Sequence, residues 1–284
     1  MSWDVAVAGT VHRDDIITPA GRRPNQLGGS AVYFALAASS FARVHLNGIV
    51  GDDHAADFRR ILDDARIDAE GMVVSDRPTF LWHARHDFER WLAVDTVSDE
   101  GCDPLWVPRL PDASVRSEVL FVASMRPSIQ RQVVTQAQAR LIGADSMTEY
   151  TGTARDAVRD VAHSCDVLFL NREELASLTG APVTTWREEA LAMCGVGRLR
   201  AVVVKSGPDG AALVTDDGVI ARPAAPVRTV VDPTGAGDAL AGGFLGACAA
   251  AERDDPGYFV TALDAGLRCA ATAIAEFGLA GMVR

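Results

Sequence analysis

The sequence predicts an α/β fold: a mostly parallel central sheet with helices on both faces and a small β lid. Two observations predict it. Short apolar, β-branched runs alternate with longer amphipathic stretches along most of the chain, the pattern of parallel strands joined by helical crossovers. One stretch, residues 78–97, breaks that alternation and reads as two strands of a hairpin.

Taken in order, residues 5–9 open the chain as a strand, and 30–42 follow as a helix. A strand at 44–50 and a helix at 54–65 repeat the unit. In the interrupted stretch, FLWHARHDFERWLAVDT alternates about the polar centre His86 to Glu89, and with residues 16–18 it forms a small β element standing off the sheet. Its aromatics Phe80, Trp82 and Trp91 then face a ligand or another subunit, or else pack onto the core. Strands at 119–123, 140–144, 167–170 and 201–204 resume the alternation, with helices at 128–137, 154–163, 172–178 and 187–193. Helices at 237–249 and 257–276 end the chain.

Composition narrows the function. The chain has 284 residues, 48% hydrophobic and 23% charged, enough to bury a sizeable core. Lys and Arg total 27 against 38 Asp and Glu, a net charge of −11, which argues against broad binding to nucleic acid or to an anionic membrane. No apolar run approaches the length of a bilayer span. The opening MSWDVAVAGT lacks the basic flank and cleavage site of a secretory signal, so a cytoplasmic location is the expectation. Five widely spaced cysteines, with no CxxC pair, read as reduced thiols, mostly buried.

Chemistry concentrates at residues 230–238, Val-Val-Asp-Pro-Thr-Gly-Ala-Gly-Asp, which run into an apolar helix. A strand leading through a glycine-rich turn into a helix leaves several backbone N–H groups unpaired and aimed at one spot, an anion site. Gly235 and Gly237 let the backbone approach closely. Asp238, however, puts a carboxylate among those donors, where it repels a resting anion. With a substrate hydroxyl between Asp238 and a phosphoryl group, the carboxylate takes the proton while the N–H groups receive charge developing on the phosphoryl oxygens. The plainer alternative is that Asp238 caps the helix. Other nucleotide motifs are missing: there is no GxxxxGK[ST], no third glycine completing GxGxxG after Gly235, and neither HRD nor DFG.

The run DPTGAGDALAGGF at 232–244 resembles the C-terminal signature of the ribokinase-like (PfkB) family of carbohydrate and nucleoside kinases, which centres on D-T-x-GAGD. Further segments agree in order and spacing: Gly28-Gly29-Ser30-Ala31, Gly51-Asp52-Asp53, Asn171-Arg172-Glu173-Glu174 and Lys205-Ser206-Gly207-Pro208-Asp209-Gly210. The resemblance covers essentially the whole chain. It implies a ribokinase-like three-layer sandwich, one kinase domain over 1–284, with lid elements at roughly 11–18 and 78–97.

The same resemblance implies roles. Asp238 would be the catalytic base, with the N–H groups of Gly235, Ala236 and Gly237 as the anion hole for the γ-phosphate. Asn171 and Glu174 would organise Mg²⁺ and the ATP phosphates; read without the family, the same pair is a capping box at a helix start. Lys205, Gly207, Gly210 and Thr234 would contact ATP, and Asp232 would help hold a monovalent cation, K⁺. On the acceptor side stand Asp14, whose carboxylate can accept from two vicinal hydroxyls, and Gly28 and Gly29, which let a substrate approach the helix start. Tyr33 departs from the family's asparagine, which alters the expected hydroxyl pattern of the acceptor. Arg126, Asp145 and Ser146 lie just past strand ends, where ligands gather in open α/β sheets.

The expected activity is ATP- and Mg²⁺-dependent phosphorylation of a hydroxymethyl group on a sugar or sugar-containing molecule. One alternative is a nucleoside kinase acting on the ribose 5′-hydroxyl. A hydroxymethylpyrimidine or pyridoxal-type kinase fits less well, because such chains usually lack the hairpin lid. From another class comes a non-catalytic sugar or nucleotide sensor, against which the intact Asp238, Gly235, Gly237, Asn171 and Glu174 count. A homodimer paired through the lid is the expected assembly if Trp82 or Trp91 serves an interface.

Overall fold

The computed structural model describes residues 4–89, 91–251 and 257–283. Its thirteen strands are β1 (Asp4–Ala8), β2 (His12–Thr18), β3 (Gly21–Gly28), β4 (Arg43–Gly51), β5 (Asp68–Ser75), β6 (Leu81–Asp87), β7 (Leu92–Asp99), β8 (Val119–Val122), β9 (Leu141–Asp145), β10 (Val167–Asn171), β11 (Ala201–Lys205), β12 (Ala211–Thr215) and β13 (Gly218–Arg222). Nine of them form one sheet in the order β13-β12-β11-β10-β9-β8-β1-β4-β5, parallel except for β12 and β13. Helices fill the crossovers: α1 (Ser30–Ala38), α2 (Ala55–Asp64), α3 (Asp112–Val115), α4 (Pro127–Gln136), α5 (Thr148–Thr153), α6 (Arg155–His163), α7 (Arg172–Thr179), α8 (Trp186–Met193), α9 (Ala236–Ala250) and α10 (Tyr258–Ala273).

Side-chain alternation along the strands divides the interior into two apolar layers. Val5 and Val7 of β1, Phe121 of β8, Phe169 of β10 and Val203 of β11 face α1, α2, α9 and α10. Their neighbours Ala6, Ala8, Leu120, Leu168 and Val202 face α4, α6, α7 and α8. Both faces of the sheet are thus covered, and the arrangement is the three-layer sandwich expected. A run of rings, Phe34 on Phe121, Phe121 against Phe169, and Phe169 against Phe244, ties α1 and α9 to the centre of the sheet. Gly242 lets α9 lie against the α1 backbone: a Cβ there would strike the Phe34 carbonyl and stand 2.8 Å from the Ala37 methyl.

The lid is larger than the sequence suggested. It is a four-stranded sheet, β3-β2-β6-β7, in which β2 and β6 run parallel. β3, GRRPNQLG, is polar, mostly exposed and carries a proline, so it has no apolar alternation to read; proline is tolerated because this strand lies at the sheet edge. The hairpin turn falls after Asp87, which pairs with Leu92, so His86 is a strand residue and not part of the turn. Period 2 places Asp14, Ile16 and Thr18 on one face of β2, with Trp82, Ala84 and His86 on the same face of β6. No helix among the described residues is long and apolar enough to cross a membrane. All five cysteines are free, three of them buried.

Candidate active site

The site lies at the carboxyl ends of the parallel strands, beneath the lid, where open α/β sheets place ligands. Asp145, Asn171 and Lys205 are the last residues of β9, β10 and β11. Alternation along each strand turns all three toward the layer that holds α9, whose first turn carries Asp238.

Gly235 is the residue before α9 and adopts φ 73, the left-handed conformation that glycine takes without strain. A side chain there would also collide with the Tyr33 ring, which lies flat against it. No side chain caps this helix. Among the described residues, the N–H groups of Gly235, Gly237 and Asp238 have no protein acceptor, whereas Ala236 N–H donates to the Pro233 carbonyl at 3.2 Å. The set of free N–H groups therefore differs from the expected anion-hole donors by a single member. Ala236 is drawn into the turn that shapes the loop, and the Asp238 N–H stands in its place.

Asp238 itself is half-buried. Loss of solvation, reinforced by the Asp145 carboxylate, pushes its pKa up to about 7, against the opposing pull of Lys205 and His12. A carboxylate placed merely to cap a helix would be solvated and acidic; this one is poised to exchange a proton near neutral pH. Lys205 Nζ lies 3.0 Å and 3.2 Å from the two oxygens of Asp145 and 4.0 Å from Glu174. Burial works against its charge, but the two carboxylates hold its pKa above the ordinary lysine value.

Asn171 and Glu174 form a full capping box. Asn171 Oδ1 accepts from Glu174 N–H at 2.7 Å, and Glu174 Oε2 accepts from Asn171 N–H at 2.8 Å. Burial pushes Glu174 up to about 7 in spite of Lys205. The capping reading and the metal reading coexist, since Glu174 Oε1 has no hydrogen-bond partner among the described residues and hard carboxylate and amide oxygens are what Mg²⁺ takes. Gly207 and Gly210, both at positive φ, bound the short 3₁₀ turn between β11 and β12.

On the acceptor side, Asp14 is 1% exposed, and His12 Nε2 approaches its Oδ1 to 3.0 Å. Neither Asp14 oxygen has a well-aligned hydrogen-bond donor, and the Tyr33 hydroxyl, on a side chain equally buried, has no partner either. Gly28 and Gly29 take on a different meaning from the one the sequence suggested. A Cβ on Gly28 would collide with Asp14 Oδ2, and one on Gly29, at φ 110, with the Thr10 carbonyl, so the space they leave is filled by the protein and not by substrate.

The lid contributes two groups that sequence reasoning missed. A hydrogen bond of 2.8 Å joins His86 Nε2 to the Thr234 hydroxyl. Burial lowers the His86 pKa despite Asp232 nearby, so the imidazole is neutral at pH 7. His12, raised by Asp14 against its burial, is the second. Alternation along the hairpin would have turned His86 inward had the turn been placed two residues later.

Asp232 accepts Thr234 N–H at 3.0 Å and Gly278 N–H at 3.1 Å. Arg126 is not gathered into the cluster: its guanidinium donates to the Asp103 carbonyl at 3.1 Å. Ser146 donates its N–H to Asp145 Oδ1. Of the lid aromatics, Phe80 lies 5.1 Å from the His12 ring and Trp82 faces inward beside His86, while Trp91 stacks on Phe88 and touches the Gly207 turn.

A ribokinase-like sandwich with a proton acceptor beside unpaired helix N–H groups defines a kinase that phosphorylates an alcohol. The pfkB family of carbohydrate kinases matches residues 107–283, and the chain belongs to that family. A cytidine kinase of Thermococcus kodakarensis is 28% identical over 249 residues, 85% of this chain and 87% of that protein. An ATP-dependent ribose-1-phosphate kinase of Halopiger xanaduensis is 30% identical over 227 residues, 77% of this chain and 72% of that protein. The adenosine kinase from Sinorhizobium meliloti superposes with a TM-score of 0.82 at 17% identity, over 100% of this chain and 98% of that chain, a likeness of fold.

Proposed function

We propose that this kinase transfers the γ-phosphoryl group of ATP to the hydroxymethyl group of a ribosyl compound, with nucleosides as its acceptor class. The observation that carries the reading is the half-buried Asp238 carboxylate in the first turn of α9, beside the N–H groups of Gly235, Gly237 and Asp238, which have no acceptor among the described residues; burial and Asp145 push its pKa up to about 7. Asp238 takes the proton of the acceptor hydroxyl as its oxygen bonds to the phosphorus, and the bond to the bridging oxygen of ADP breaks. The N–H groups of Gly235, Gly237 and Asp238 receive the charge that builds on the phosphoryl oxygens, a contribution worth about 10²–10³ in rate per donor. Residues 1–284 act as one kinase domain in this reading, with the four-stranded lid excluding water from the transfer.

The acceptor assignment has its support in Asp14 and Trp82, cross-strand neighbours in the lid, and in the buried, unpartnered hydroxyl of Tyr33. Asp14 can accept from two vicinal ribose hydroxyls, and Trp82, its cross-strand neighbour, offers a flat apolar face to a base. The cytidine kinase among the relatives points the same way. Glu174 and Asn171 would hold Mg²⁺, directly or through water, and the ion would neutralise donor phosphate charge. Asp232 keeps lone pairs for a monovalent cation such as K⁺.

The test is ADP release with cytidine, adenosine, inosine, ribose, fructose and ribose 1-phosphate as acceptors, for the wild type and Asp238→Asn. Acceptor-dependent turnover greatest on a nucleoside, and abolished in the variant while ATP still binds, is the expected result. Saturable binding without turnover on any acceptor would favour a sensor.

A further inference from the structure

The charge network around Lys205 includes a residue, Asp145, to which the reading above gives no role. Asp145 ends β9 and Lys205 ends β11, with β10 between them, so the lysine stem spans the end of a whole strand to reach its partner. Asp145 is 4% exposed, and both its oxygens lie within 3.2 Å of Nζ. Asn171, on the intervening strand, is already committed to the capping box. The ammonium ends 3.1 Å from where a Cβ on Gly237 would be, directly against the turn whose N–H groups are free. The missing side chain at Gly237 is therefore what admits the lysine.

Three carboxylates surround this one cation: Asp145, Glu174 and Asp238. Only Asp145 holds it at hydrogen-bonding distance through two oxygens. A lysine paired instead with Asp238 would block the base, and one paired with Glu174 would turn away from the anion turn. We propose that Asp145 is a positioning residue for the phosphoryl donor: it parks the Lys205 ammonium beside the free N–H groups of the α9 N-terminus and off Asp238, and yields it to the donor phosphates when nucleotide binds. This rests on the reading of Lys205 as a nucleotide contact. The effect of Asp145 on the nucleotide passes through the lysine, and is read by nucleotide affinity separately from its influence on Asp238.

The binding arm of the test needs neither magnesium nor an acceptor. ADP is titrated by calorimetry in EDTA into the wild type, Asp145→Asn, Lys205→Met and the double variant, each first checked for folding by its thermal transition. Lys205→Met is expected to weaken ADP by about tenfold or more, the loss of one charge-assisted phosphate contact. Asp145→Asn is expected to tighten ADP several-fold, because the phosphates no longer compete with a carboxylate for the ammonium. In the Lys205→Met background the same substitution changes ADP affinity by less than about twofold, since a buried Asp145 with no cation beside it is protonated and resembles asparagine. With the acceptor that gives most turnover, Asp145→Asn lowers kcat while KM for ATP does not rise. Should Asp145→Asn fail to fold, Asp145→Ser is read in the same cycle. Weaker ADP binding in Asp145→Asn, or an equal change in both backgrounds, overturns the proposal and marks the residue as structural. Unchanged ADP affinity in Lys205→Met overturns instead the assignment of Lys205 on which it rests.

Discussion

His86 of the lid and Thr234 of the turn before α9 share a hydrogen bond of 2.8 Å, so the lid is fastened to the turn in which we propose the phosphoryl group is received. The imidazole is neutral at pH 7 because burial lowers its pKa. The bond is therefore an uncharged latch that forms and breaks at modest cost, about 1 kcal/mol. Movement of the lid on acceptor binding either breaks this bond or carries Thr234, the residue two before α9, with it.

A lid that fits loosely lets water compete with the acceptor. His86→Ala should raise KM for the acceptor several-fold and increase ATP hydrolysis in its absence, with the thermal transition little changed. ADP release measured with and without acceptor separates these effects. A variant with wild-type KM and no excess hydrolysis would remove the latch from the mechanism.

The pH profile follows from Asp238. Burial and the Asp145 carboxylate raise its pKa to about 7, and the base works only when ionised. Activity in kcat/KM should therefore fall as pH drops through about 7, tenfold per unit well below it. An ordinary aspartate, with a pKa near 4, would leave the rate flat down to about pH 5. Profiles of kcat/KM for the acceptor at saturating ATP between pH 5 and 9 decide between the two.

Asp238 was legible because the glycine turn and the helix start that define it are consecutive in the sequence, 232–238, although the strand expected at 230–231 is not formed: β13 ends at Arg222 and residues 223–235 run as irregular chain into α9. Asn171 and Glu174 were legible for the same reason, three residues apart on one turn. The sheet and its helices could be read from alternation because both faces of the central strands are covered. Asp145 was visible only as an acid past a strand end, since its partner Lys205 lies sixty positions away and two strands over. His12 and His86 act through lid strands whose pairing the sequence marks weakly. The lid strand β3 was missed because an exposed edge strand has no apolar face to alternate.

Gly235 is constrained twice, by its φ of 73 and by the Tyr33 ring against it. Alanine in that conformation costs about 1–3 kcal/mol, before any displacement of the ring. Gly235→Ala should lower Tm by about 2–4 °C for each kcal/mol lost and abolish turnover, because relief of the clash moves both Tyr33 and the anion turn. Calorimetric unfolding and ADP release on one preparation test both arms. A stable, active Gly235→Ala would mean that the ring yields freely.

Tyr33 gives the sharpest test of the acceptor site. Its hydroxyl is buried without a partner, and the buried Asp14 carboxylate has His12 at 3.0 Å but no well-aligned hydrogen-bond donor. A buried donor or acceptor left unpaired costs about 1–3 kcal/mol, which a ligand recovers by supplying the missing bond. Tyr33→Phe removes the hydroxyl and keeps the ring that backs Gly235, so folding should be unimpaired and the thermal transition equal to or above that of the wild type. Acceptor binding loses the hydrogen bond, and kcat/KM for a nucleoside should fall about ten- to a hundredfold while KM for ATP stays constant. Asp14→Asn should act more strongly, since an amide cannot accept from both vicinal hydroxyls through charged oxygens. Deoxynucleosides extend the comparison: an acceptor lacking one hydroxyl of the ribose diol should lose most in the wild type and least in Asp14→Asn. Equal losses in both proteins would place the diol elsewhere.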